Sequence, residues 1–262
     1  MGGRLIKGRG LSPGDKTAKA IVCDQFISPL GEISKDGLIT SGPCEDSCIS
    51  DKILVFRGGR GSTVGSYTFL ELKNKNIAPS GLIIEEADQM VVTGAIISDI
   101  PLVDHVPLDI FLNDDTVTLS GSTGDVSIAD VIKKRVATVY LLHKGNLLLL
   151  KRSTDMTTYP GQYGGISGYI ERGETPEQTG KRETEEECGI KDAMVKAIGK
   201  DIYVRYGGLL FEITPMLMVT SKADVKLNHE NSEYSWINPK SLGDYQTVPK
   251  FKETLMQFID YL

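Results

Sequence analysis

Glu183, Glu186 and Glu187 stand at spacings i, i+3 and i+4 in the run Arg-Glu-Thr-Glu-Glu-Glu-Cys-Gly-Ile over 182–190. Residues three and four apart share one face of a helix. Three carboxylates on one turn repel one another, and negative charge near a helix C-terminus opposes the helix dipole. A hard divalent cation removes both objections, because Mg²⁺ prefers oxygen ligands, retains waters and suits phosphate chemistry. A solvated acidic helix face is the other reading of this spacing, and spacing alone leaves both open. The helix itself is well marked. Thr175 is a good N-cap, Pro176 suits the first helical position, Gln178 completes a capping box, and Gly189 suits the left-handed position after the end. A helix from Pro176 to Cys188 is predicted.

A second group lies in Arg57-Gly-Gly-Arg-Gly-Ser-Thr-Val-Gly-Ser66, which follows a predicted strand and enters a predicted helix. Backbone N–H groups at a helix start attract anions, and glycine permits close approach of a ligand. Arg57 and Arg60, with Gly61 between loop and helix, are therefore candidate anion-binding residues. Ser62 sits at the junction. The Gly-Lys-Ser/Thr ending of a Walker A loop is absent. A glycine-rich turn with Ser62 as a plain N-cap is the competing reading.

Two sets of elements must position these groups. In the first half, strands are predicted near 18–23, 52–56, 81–84, 100–103, 114–120 and 124–128, with helices near 67–74 and 88–97. Strands alternating with helices indicate α/β packing. In the second half, strands near 135–142 and 147–151 flank the turn Lys144-Gly-Asn146, and later strands run over 196–206 and 209–220. The end, 249–262, places Phe251, Leu255, Phe258, Ile259 and Leu262 on one helical face.

Composition agrees with a folded chain of one or two domains: 262 residues, 40% hydrophobic and 24% charged. No apolar run approaches the roughly 20 residues of a membrane span, and the start Met1-Gly-Gly-Arg-Leu-Ile-Lys lacks a signal-peptide core, so a cytoplasmic, membrane-free protein is expected. Residues 1–132 carry 11 Lys and Arg against 18 Asp and Glu, while 133–262 carry 18 against 17. An acidic first half argues against a nucleic-acid surface there. Cys44 and Cys48 lack a second ligand pair of matching spacing, so two reduced thiols are expected rather than a metal site.

Over Gly168–Ile190 the chain resembles the Nudix box: Gly168, Glu174, Arg182, Glu183, Glu186, Glu187, Gly189 and Ile190 all fall in place, and only Thr184 stands where an aliphatic residue is usual. The loss expected at Thr184 is of packing, not chemistry. The resemblance implies Mg²⁺ or Mn²⁺ held by Glu183, Glu186 and Glu187 with the carbonyl of Gly168. It implies a structural Glu174–Arg182 ion pair, and cleavage of a diphosphate linkage in a small-molecule substrate. Glu183 would also orient water. The general base is expected on a later loop, with Glu230 the candidate and Glu233 structural. Tyr163 would stack on a base or pack in the core, with packing favoured.

Gly8-Arg-Gly-Leu-Ser-Pro-Gly14, Gly58–Ser66 and Thr93–Asp104 resemble the small subunit of aconitase X-type dehydratases, a group that includes the archaeal phosphomevalonate dehydratase. That resemblance implies a large-subunit partner carrying an iron–sulfur cluster, and Ser62 as acceptor of the substrate proton. Burial, a helix N-terminus and Arg60 would activate the serine. The expected fold is α/β in two domains: a swivelling β/β/α domain over 1–132 and a Nudix α/β/α sandwich over 133–262. The expected function is a fused dehydratase small subunit and Nudix hydrolase, with isopentenyl diphosphate of the mevalonate route as one substrate hypothesis. The alternative is a Nudix hydrolase with a non-catalytic, anion-sensing first half.

Overall fold

The structure, a computed structural model, describes residues 5–262. It divides at Ile132/Lys133 into two compact units.

The first unit runs β1 (Ile6–Lys7), β2 (Arg9–Ser12), β3 (Asp15–Ile27), α1 (Pro29–Glu32), β4 (Ile53–Gly59), α2 (Ser66–Asn74), β5 (Gly81–Ile84), α3 (Gln89–Ile97), β6 (Leu102–Asp104), β7 (Thr116–Ser120) and β8 (Asp125–Ile128). Among the described residues these strands are ordered β1-β8-β7-β3-β4-β5-β6-β2. The long strand β3 serves two neighbours. Its first part, from Asp15 to Lys19, pairs antiparallel with β7, and from Ala20 onward it pairs parallel with β4. β4, β5 and β6 continue the parallel part. Ile53, Leu54, Val55 and Phe56 are all fully buried, the signature of a parallel strand covered on both faces. Leu54 and Phe56 pack with Phe69 and Leu72 of α2 and Val91 of α3.

Cys23 of β3 and Cys44 of the following loop form a disulfide, with Cα atoms 5.6 Å apart. This corrects the expectation of a reduced Cys44. The partners are 21 residues apart in sequence, and only the packing of the loop against β3 makes them neighbours. Cys48 is free and exposed, and Cys188 is free and buried.

The second unit runs β9 (Ile132–His143), β10 (Asn146–Arg152), β11 (Tyr163–Gly164), β12 (Ile166–Tyr169), α4 (Pro176–Cys188), β13 (Met194–Ile198), β14 (Ile202–Tyr206), β15 (Leu209–Val219), β16 (Asn231–Ile237) and α5 (Phe251–Leu255). Alternate residues of β9 and β10 serve opposite faces of the sheet. Val139, Leu141, Leu148 and Leu150 pack with Cys188 and Ile190 at the end of α4. Tyr140, Leu142, Leu147 and Leu149 pack with Phe251, Leu255 and Phe258. A sheet with a helix on each face is the α/β/α sandwich.

Two predicted elements differ. The strand predicted over 196–206 is two strands, β13 and β14, separated at Gly199, whose N–H donates to Pro215 O at 2.9 Å. The C-terminal helix leaves its α geometry after Leu255 and tightens to a 3₁₀ turn over Met256–Tyr261. That change of pitch carries Ile259 and Leu262 out of the predicted stripe, to 52% and 40% exposure, while Phe258 stays buried. No helix among the described residues is long and apolar enough to cross a membrane.

Candidate functional site

Helix α4 is fastened at both ends. Thr175 Oγ1 accepts from Gln178 N, Gln178 Oε1 accepts from Thr175 N at 2.8 Å, and Gly189 takes a left-handed φ of 69°. Together these satisfy end groups a helix cannot satisfy internally. Thr184 is fully buried, and its hydroxyl donates to Gly180 O at 2.6 Å, so the polar atom costs no unmatched burial.

The carboxylates of α4 meet different environments. Glu187 is buried, accepting from Ser167 N at 2.9 Å and from Asn231 Nδ2 at 2.7 Å. Burial pushes its carboxyl up to about 8, against the pull of those two donors. Glu183 lies across Gly168: a Cβ built on Gly168 would meet Glu183 Oε1 at 1.8 Å, so only glycine admits it. Burial raises the Glu183 carboxyl, and the nearby charges of Glu186 and Glu230 add to that. Glu186 turns outward. Arg182 Nη1 donates to Glu183 at 2.6 Å and to Glu186 at 3.2 Å. Arg182 Nε also grips Glu174 at 3.0 Å, and its Nη2 reaches Tyr169 O at 3.2 Å. Hydrogen bonds from Arg182 and Thr179 bring Glu174 down to about 2.

The three helix carboxylates therefore do not converge as their spacing suggests. Among the described residues no three acidic, histidine or cysteine groups gather closely enough to enclose a metal. Arg182 takes up charge that a cation would take up. The donor set still fits a hard cation in kind: all are carboxylate oxygens, and the charge of Glu230 lies near enough to raise both Glu183 and Glu187.

Glu183, Gly168 and Glu230 open onto a cavity of about 330 Å³, which Arg152 also lines. Arg152 donates to Thr158 O at 2.8 Å and Thr158 Oγ1 at 3.0 Å, with no carboxylate partner among the described residues. Glu233 stands apart, bonded to Lys151 at 3.0 Å and to the Tyr163 hydroxyl. Tyr163 packs edge-on against Tyr245, away from the cavity. Arg152, Ser167 and Asn231 carried no motif signal. They become site residues through the pairing of β10 with β16 and the approach of β12 to α4.

In the first unit Ser62 is exposed and caps the short 3₁₀ turn Thr63–Gly65, accepting from Val64 N. Gly61 has a φ of 109°, open to glycine at little cost. Both flanking guanidinium groups are engaged. Arg57 pairs with Asp24 at 2.7 Å, and Arg60 pairs with Glu32 through Nη2 at 2.6 Å and Nε at 3.2 Å. The burial and free Arg60 charge expected to activate Ser62 are therefore not supplied by this chain alone. Other residues of the resembling segments do meet: Arg9 holds the fully buried Asp104 by two bonds, at 3.0 and 2.7 Å.

Comparison with known proteins places both units. The Aconitase X swivel domain matches residues 5–128, and the NUDIX domain matches residues 133–258. The phosphomevalonate dehydratase small subunit of Methanococcoides burtonii is 38% identical over 131 residues, covering 48% of this chain and 96% of that protein. That of Thermococcus kodakarensis is 39% identical over 128 residues, covering 48% and 96%. The chain belongs to this small-subunit family. It carries a Nudix domain in addition. The crystal structure of Thermococcus kodakaraensis aconitase X is 40% identical, covers 47% of this chain and 95% of its own, and has a TM-score of 0.46. The MutT protein of Methanosarcina mazei is 24% identical, covers 50% and 95%, and also has a TM-score of 0.46. The swivel domain thus holds the Ser62 loop, and the Nudix domain holds α4 and its cavity.

Proposed function

We propose that the Nudix domain hydrolyses a diphosphate linkage with Mg²⁺ or Mn²⁺, and that the swivel domain completes a dehydratase with a large iron–sulfur subunit. The observation that carries the first part is the meeting of Glu183, Gly168, Glu230 and Arg152 at one cavity. Glu183 and Glu187, with the carbonyl of Gly168, would hold the metal, and Glu186 would join them on leaving Arg182. When bound, the metal neutralises the diphosphate and acidifies the attacking water. Glu230 takes the proton from that water. Arg152, already oriented by Thr158, faces the phosphate oxygens. Glu174 and Arg182 fix the loop before α4 against its middle.

The second part is supported by the small-subunit relatives, which match over 131 and 128 residues and are themselves covered to 96%. Ser62 accepts the substrate proton once a large subunit encloses the loop, and Arg57, Arg60 and Gly61 bind the substrate anion after exchange of Asp24 and Glu32. By the resemblance to the dehydratase small subunits, the cluster belongs on the partner.

Phosphate and nucleotide release from a panel of diphosphates with Mg²⁺ tests the hydrolase, beside a Glu187→Gln protein. Release by the native protein and its loss in the variant are expected. Equal release by both would remove α4 from the reaction. Copurification of a large partner containing iron and sulfur, with dehydration lost in Ser62→Ala, tests the dehydratase.

A further inference from the structure

We propose that the Nudix cavity accepts the diphosphate of a hydrocarbon alcohol, with the hydrocarbon laid on one face of the β14–β15 hairpin. This rests on the hydrolase reading above. In that hairpin Ile202 pairs with Ile213 and Val204 with Phe211. Alternation along a strand puts all four on one face, while Tyr203, Arg205 and Glu212 take the other. These four side chains line the cavity. With Val136 and Tyr159 they form an apolar cluster distinct from the two cores of the sandwich. The loop 153–162 lies over this face: Tyr159 meets Tyr206 edge-on at 4.8 Å, and the Tyr206 hydroxyl donates to Thr157 O at 3.1 Å.

The polar part of the lining argues the same way. A nucleobase carries donors and acceptors along its edge, and each one buried without a partner weakens binding. Among the described residues the cavity is lined by no Asn, Gln or Asp side chain. Its carboxylates are Glu183 and Glu230, which the hydrolysis uses. Several of its hydroxyls are engaged by the protein: Thr138 and Ser167 bond each other at 2.9 Å, Thr254 donates to Lys250 O at 2.6 Å, and Tyr140 donates to Phe251 O at 3.1 Å. The apolar wall of Ile202, Val204, Phe211 and Ile213, with Arg152 and the carboxylates at the cavity's polar part, is matched by a molecule apolar at one end and anionic at the other.

The test uses the full chain with Mg²⁺. kcat/KM is measured for isopentenyl and geranyl diphosphates against ADP-ribose, a nucleotide sugar and ATP. A preference of at least about tenfold for a hydrocarbon diphosphate is expected, the scale on which apolar pockets discriminate. Faster cleavage of the nucleotides would overturn the inference and leave the hydrolase reading standing. Calorimetric titration with isopentenyl monophosphate and uridine monophosphate reads the wall without turnover. Tighter binding of the hydrocarbon, with a negative heat-capacity change, is expected. If nothing is cleaved but the hydrocarbon binds tighter, the wall is as proposed and the hydrolase reading fails. If uridine monophosphate binds as tightly or neither binds, the wall is not a hydrocarbon site. Ile213→Asn should raise KM for the preferred diphosphate about tenfold with little change in kcat, and Ile213→Leu should restore it. An unchanged KM in a folded Ile213→Asn protein counts against the proposal.

Discussion

At the scale of single residues, what separates the glutamates of α4 is burial. Glu187 is 3% exposed and held by two donors, while the Glu186 side chain is 55% exposed and leans on Arg182. In the proposed hydrolase Asn231 would therefore be a positioning residue acting through Glu187. Asn231→Ala should lower hydrolysis about 10–100-fold, the usual cost of losing a partner behind a metal ligand, with the unfolding midpoint little changed. Steady-state rates beside a thermal melt would check both. In the swivel domain, hydrogen bonding from Arg60 brings Glu32 to about 2, from an ordinary value of 4.5. A carboxyl lowered on folding adds stability that is full above its unfolded value and is lost as pH falls toward the folded one. Denaturation of Glu32→Gln should show its largest deficit at neutral pH, and the gap to the native protein should close between about pH 4.5 and 2. A gap independent of pH would mean the pair contributes by packing alone. Residue types at this scale were readable in the chain, but which glutamate is buried was not, because Arg182, Ser167 and Asn231 decide it.

At the scale of elements, the start and stop of α4 were legible because capping is local: Thr175, Gln178 and Gly189 act within one turn of themselves. Thr175→Ala should cost about 1 kcal/mol, read from the unfolding of the Nudix domain. Gly168→Ala should do more harm to activity than to stability, since its methyl would displace Glu183 from its place across β12. A variant hydrolysing at the native rate would show that Glu183 does not work from that position. The elements that escaped sequence reading fail for a different reason. The break at Gly199 and the tightening after Leu255 answer to contacts from other parts of the chain. Gly199 N bonds Pro215 O, and Gln257 accepts from Lys200 N at 2.7 Å.

At the scale of the molecule, the chain joins two compact units at Ile132/Lys133, where β9 begins directly. Each unit has cores of its own. Phe56 is fully buried in the first. Phe56→Ala should cost that unit about 3–5 kcal/mol and leave hydrolysis of a diphosphate unaffected. Calorimetry showing one transition lowered and one unmoved, with native hydrolysis rates, is the expected result. Loss of both transitions together would mean the units unfold as one.

The amino-acid sequence determined the two-part plan, the α/β class, the capped glutamate helix and the glycine-rich loop, because all of these are written in neighbours a few residues apart: turn residues, caps, apolar periodicity and motif spacing. The tertiary structure decided the rest. It paired Cys23 with Cys44, set Glu32 on Arg60, turned Glu186 from Glu187, and brought Arg152 and Asn231 to the site. These are contacts between segments distant in the chain, and local spacing carries no record of which distant segment will pack against which.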